Sequence, residues 1–143
     1  GTSELYLVHL IRDGRANMYS HMRRFGTSSA KAARDWKRIN RRIEWIRWLW
    51  APKASVVQYE DLCRNPSAVC QDILEAMGEP IREAPSLDGT DHMIGGNPDR
   101  FTGYESVQLD ERWKTGLDGE DLRTFERVAG AMNRRYGYEP FSS

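Results

Sequence analysis

Leu5–Arg24 reads LYLVHLIRDGRANMYSHMRR, and the fold turns on it. The opening run Leu5-Tyr6-Leu7-Val8, extended through His9-Leu10-Ile11, has the composition of a buried strand. Asp13-Gly14 ends it. Asp13 is suited to cap a helix starting just after it, because its carboxylate can accept the free N–H groups of a first helical turn. Ala16–Arg24 reads as that helix. A strand that empties into a helix N-terminus is where open α/β sheets bind anions: N–H groups converge there and the helix dipole favours negative charge. Arg12 stands at the junction, Ser20 lies eight residues further on, and Arg15, Arg23 and Arg24 add positive charge nearby.

Downstream, Gly26–Ser29 is a turn in which Ser28 or Ser29 caps a long helix, Ala30–Trp50. Trp36, Ile39, Ile43, Ile46 and Trp50 recur in steps of three and four, a stripe on one face. Lys37, Arg38, Arg41, Arg42 and Arg47 fall off it, while Trp45, Trp48 and Leu49 widen the apolar surface. The expectation is a core helix with a solvated basic face; the functional reading is a helix lining an acceptor cleft. Because the stripe tryptophans are expected to be buried, they argue against nucleic acid. Ala51-Pro52 ends the helix. Ser55–Tyr59, SVVQY, reads as a second strand, with Glu60-Asp61-Leu62, Asn65-Pro66 and a helix over Ser67–Met77 after it, stopped by Gly78.

Glu79–Thr90 reads as a loop. In Asp91–Phe101, DHMIGGNPDRF, the Gly95-Gly96-Asn97-Pro98 stretch cannot be helical, and paired glycines let backbone N–H groups approach a ligand closely. Arg100 offers a planar fork suited to phosphate. Trp113 in Asp110-Glu111-Arg112-Trp113-Lys114 is expected to pack this loop down. Asp118 caps a last helix, Glu120–Tyr136, with Leu122, Phe125, Val128, Ala129 and Met132 inward.

The chain of 143 residues, 39% hydrophobic, suits one domain spanning residues 1–143. Its net charge is zero but uneven: residues 1–53 hold 12 Lys/Arg and 4 Asp/Glu, and the remainder 9 and 17. A basic half suits an anionic ligand such as a nucleotide; the two halves would also attract one another. Cys63 and Cys70, seven apart, match no zinc pattern and read as two packed thiols. No apolar run approaches the ~20 residues of a membrane span, and no signal peptide is legible. The sequence does not fix the compartment; a cytoplasmic one is the expectation.

Four motifs in order carry a resemblance. Arg12-Asp13-Gly14-Arg15 with Ser20, then Tyr59-Glu60-Asp61-Leu62 with Asn65-Pro66, then His92 with Gly96-Asn97-Pro98-Asp99-Arg100, then Asp110-Glu111-Arg112-Trp113-Lys114, together resemble the sulfotransferases that use 3′-phosphoadenosine-5′-phosphosulfate. The likeness is closer to the carbohydrate-type and bacterial members than to the cytosolic phenol and steroid enzymes. Gly14 departs from the proline usual at that position. The resemblance implies an α/β, P-loop-like fold with a short parallel sheet and flanking helices. In it Arg12, Ser20, Gly96, Asn97 and Arg100 would hold the 3′-phosphate and Tyr59 would lie beside the adenine. His92 would be the one candidate base. It further implies the C-terminal two-thirds of such an enzyme, with the loop that holds the 5′-phosphosulfate upstream of the first strand. An apolar edge along Leu5–Ile11 would then be exposed, favouring self-association.

The implied activity is transfer of a sulfonyl group to a hydroxyl or amine of an unidentified acceptor, with no metal and no nucleic acid involved. The alternatives are a non-catalytic nucleotide-binding or interaction domain with the same shell, and a P-loop kinase relative. A 3′-phosphate fits the Arg12/Ser20 pair better than the second of these does.

Overall fold

The computed structural model describes residues 5–50, 53–78 and 109–140. The elements run β1 (Tyr6–Ile11), α1 (Gly14–Phe25), α2 (Ser29–Trp50), β2 (Lys53–Gln58), α3 (Tyr59–Arg64), α4 (Pro66–Met77), α5 (Trp113–Gly116) and α6 (Gly119–Phe125), which continues through a π turn over Glu126–Gly130 into α7 (Ala131–Arg135). The class is mixed α/β. β1 and β2 pair in parallel as direct neighbours, with Tyr6 opposite Lys53 and Ile11 opposite Gln58. The short parallel sheet that the resemblance implies is therefore present, and its two strands, joined through two helices, are direct neighbours.

Period-two alternation decides which face of the sheet is covered. His9 and Ile11 are buried, whereas Val8 and Leu10, on the opposite parity, are exposed. The inner face rests on a core built from Ile11, Met18, Trp36, Leu117, Phe125, Ala129 and Met132. The opposite face of β1 leaves Val8 and Leu10 exposed.

The caps read at Asp13 and Asp118 form: Asp13 accepts from the Arg15 N–H, and Asp118 from the N–H groups of Glu120 and Asp121. Asn65 also caps α4, which starts at Pro66, one residue earlier than read. Gly78 closes α4 at φ 76°, a left-handed conformation that glycine adopts without a Cβ penalty. β2 begins at Lys53, earlier than read, and Tyr59 opens α3 where the sequence suggested a strand end. Cys63 and Cys70 are unbridged.

The α2 stripe requires a correction. Ala32, Ala33, Trp36 and Asn40 are buried, but Ile39, Ile46 and Trp50 on the expected stripe are exposed. Two small alanines let the first turns of α2 sit close to α1 and the core. Past Asn40, Ile43 is half-buried, while Trp45, Ile46, Trp48, Leu49 and Trp50 are exposed. Among the described residues, no helix is long and apolar enough to cross a membrane.

Candidate anion-binding site

The strand register builds the site. Because Ile11 lies opposite Gln58, the next residue after each strand, Arg12 and Tyr59, emerges beside the other. The Arg12 guanidinium lies over the Tyr59 ring, 5.0 Å from its centroid. Cation–π contact of this kind contributes about 0.5–2 kcal/mol, depending on desolvation. Arg12 Nη2 donates to the main-chain carbonyl of Asp110 at 2.9 Å. Arg12 Nε is buried and has no hydrogen-bond partner among the described residues.

Asp110 gives Arg12 little neutralisation. Its carboxylate is 3.9 Å from Arg12 Nη2 but accepts Arg112 Nε at 2.8 Å and Nη2 at 2.9 Å. These Arg112 hydrogen bonds are the main cause that holds the Asp110 carboxyl down to about 2, with Arg12 a minor contributor. Arg12 therefore presents a charged fork whose inner nitrogen has been desolvated without compensation. A buried unpaired donor is costly, and an acceptor that reached it would relieve the cost.

The turn itself differs from the sequence reading. The N–H groups at the head of α1, expected to converge on an anion, are occupied from within. The Asp13 N–H donates to Glu60 Oε1 at 3.0 Å, the Gly14 N–H to Asn133 Oδ1 at 2.9 Å and the Arg15 N–H to Asp13 Oδ1 at 2.9 Å. Arg15 does not add free charge either: it forks onto both Asp13 oxygens, with Nη2 at 2.7 Å from Oδ2, and stacks over Trp113 at 4.7 Å. The helix dipole is thus complemented by Asp13 and Glu60, and Arg12 Nε stays a buried donor without a partner among the described residues. Tyr138 completes the frame, its hydroxyl donating to Glu60 Oε2 at 2.6 Å. Burial, and then that hydrogen bond, push the Tyr138 phenol well above its usual range.

Gly14 has a packing reason. A Cβ there would run into the Phe125 ring and lie 3.0 Å from Trp36. A proline would also remove the N–H that Asn133 accepts.

Of the residues singled out in the sequence, Arg12 and Tyr59 are brought together. Ser20 is half-buried on α1 and makes no side-chain hydrogen bond among the described residues; six residues beyond Gly14, it lies about 9 Å along the helix axis. His92, Gly96, Asn97 and Arg100 lie outside the described residues. Trp113 packs against the core and under Arg15, and the loop it was expected to hold down lies outside the described residues; Lys114 pairs with Glu111 at the surface. His9 and His21 are structural: His9 Nε2 meets Asn40 Oδ1 at 2.9 Å, and His21 Nδ1 meets Thr27 Oγ1 at 2.9 Å. Sequence reasoning gave no role to Glu60, Asn133 or Tyr138. A signal existed for Asn133, a polar side chain one helical turn after Ala129 on the stripe that buries Phe125. No family model matches the chain, and no curated protein matches it.

Proposed function

We propose that the chain supplies the 3′-phosphate and adenine side of a site for 3′-phosphoadenosine-5′-phosphosulfate, and that it serves sulfonyl transfer to a hydroxyl or amine acceptor. The observation that carries this reading is the Arg12–Tyr59 pair. A guanidinium with an unsatisfied, buried Nε stands at the C-terminal end of a parallel strand, beside an aromatic ring at the end of the next. A phosphate would take the Arg12 fork in charge-assisted hydrogen bonds, and the Tyr59 ring would offer a face or edge to the base. Ligands bind at this end of open α/β sheets. The four ordered motifs supply the choice of nucleotide, and Ser20, Gly96, Asn97 and Arg100 would complete the phosphate's coordination. Such anchoring orients the donor and selects it over nucleotides that lack a 3′-phosphate; the chemical step needs groups at the sulfonate, where His92 is the candidate base.

A second reading, a nucleotide-binding domain without transfer, is favoured by the filled head of α1, which leaves those N–H groups to the protein itself. Two measurements separate the readings. Adenosine 3′,5′-bisphosphate should raise the thermal midpoint and AMP should raise it less, since a ligand stabilises the state it binds. Equal shifts, or none, would remove the 3′-phosphate from the site. Labelled donor offered with sugar, phenol and peptide acceptors then tests transfer: binding with no label transferred by the full-length protein supports the second reading.

A further inference from the structure

The second half of α2 carries three tryptophans in six residues, and none is covered by another described residue. Trp45 is 61% exposed, Trp48 78% and Trp50 71%, with Ile46 and Leu49 about half exposed between them. Apolar side chains of this size gather at a surface that meets something. α2 runs against the strands. Trp36 lies beside Gly14, past the end of β1; Asn40 bonds His9 in mid-strand; and Trp50 is three residues from Lys53, where β2 begins. From Asn40 to Trp50 the helix advances about 15 Å, while His9 to Tyr6 takes about 10 Å of strand. The last turn of α2 therefore projects beyond the start of the sheet, at the end opposite Arg12. These tryptophans therefore stand apart from the Arg12–Tyr59 pair.

We propose that this end of the molecule is a peripheral membrane anchor. The apolar tip of α2 dips into the bilayer interface, and the arginines above it engage anionic lipid headgroups. At 100° per residue, Arg34, Arg38, Arg41 and Arg42 share the outward face with Trp45 and Leu49. The face is thus divided along the helix axis, cationic first and aromatic at the end. The arginines line an open groove of about 1100 Å³ against Arg127 and Val128, which Trp45, Ile46 and Leu49 continue toward the tip. Asp35 is engaged by Lys31 and Arg38, and Glu44 by Arg135 and Tyr136, so Arg41 and Arg42 set the local sign. Tryptophan favours the headgroup level of a bilayer, and arginine can lie along apolar surface with its charge at the phosphates. An apolar tip under a basic collar matches that layering, and the chain would lie on the surface rather than span it.

Other occupants fit less well. A second copy docked on a two-fold axis would bring the same arginines face to face. Single-stranded nucleic acid needs aromatic faces set among cations, whereas Trp45 and Trp48 pack edge-to-face on each other, 5.8 Å apart, beyond the basic segment.

The test is co-sedimentation of the chain with vesicles of phosphatidylcholine alone or with about one-third phosphatidylserine, at low and high salt. Binding should require the anionic lipid and weaken with salt. Trp45→Ser/Trp48→Ser and Arg41→Gln/Arg42→Gln should each reduce it about tenfold or more. These side chains are exposed, so circular dichroism and the thermal midpoint should match the parent, and nucleotide binding should be unchanged. No binding, equal binding to neutral vesicles, or binding that survives the tryptophan change would overturn the proposal. So would a dimer in the ultracentrifuge that the tryptophan change dissolves while vesicles are ignored.

Discussion

Glu60 accepts from the Asp13 N–H through one oxygen and from the Tyr138 hydroxyl through the other, tying the end of β1 to the C-terminal segment. Tyr138→Phe leaves one Glu60 oxygen without that donor, and denaturant unfolding should show a loss of about 1–3 kcal/mol. Asn133→Ala removes both the acceptor for the Gly14 N–H and a donor to Asp13, in a buried place, and should cost about as much. The tyrosines also fix an alkaline limit. Burial raises Tyr136 and Tyr138 above the usual value of 10.0, Glu44 and Glu60 adding to it. A phenol held up in the fold lends stability that is complete below its unfolded value and is lost as pH rises beyond it. Absorbance of tyrosinate should therefore show these two ionising late and together with unfolding, above about pH 10. Asp110 works in the other direction: its carboxyl, lowered from 3.8 to about 2, favours the fold above pH 4 and stops doing so as pH falls toward 2. Early, non-cooperative ionisation of all the tyrosines would contradict the buried network.

Among the elements, α1 was the most legible. Its capping aspartate, apolar strand and arginine are local signals, and local signals are what a sequence displays. Gly14 was legible as a departure from the motif that the stretch resembles but not as a contact, since Phe125 and Trp36 come from distant segments. Gly14→Ala should destabilise by about 1–3 kcal/mol, the range for overpacking, because a Cβ there meets two fixed rings. An unchanged unfolding midpoint would mean that α6 does not close on α1 as described. α2 was half legible. Its period of three and four correctly marked a helix and its buried start, yet burial depends on what packs over each turn, and periodicity carries no information about where cover ends. The filled head of α1 was not legible either: Glu60 and Asn133 reach it from 47 and 119 residues away.

For the molecule as a whole, the two ends of the sheet carry different surfaces. The C-terminal ends of the strands place Arg12 against Tyr59, and the N-terminal ends leave the tryptophans of α2 uncovered. Parallel pairing was readable because a strand–helix–helix–strand order provides the crossover that parallel strands need; that the two strands are direct neighbours was not, since a crossover can also skip a strand. The nucleotide reading rests on the first of these ends, so calorimetric titration tests it most directly. Adenosine 3′,5′-bisphosphate should bind more tightly than AMP. Arg12→Ala should weaken the bisphosphate by about 1.5–3 kcal/mol, the scale of a charge-assisted hydrogen bond, and weaken AMP much less. Equal affinity for the two nucleotides, or a bisphosphate affinity that Arg12→Ala leaves unchanged, would contradict the assignment of a 3′-phosphate to this site.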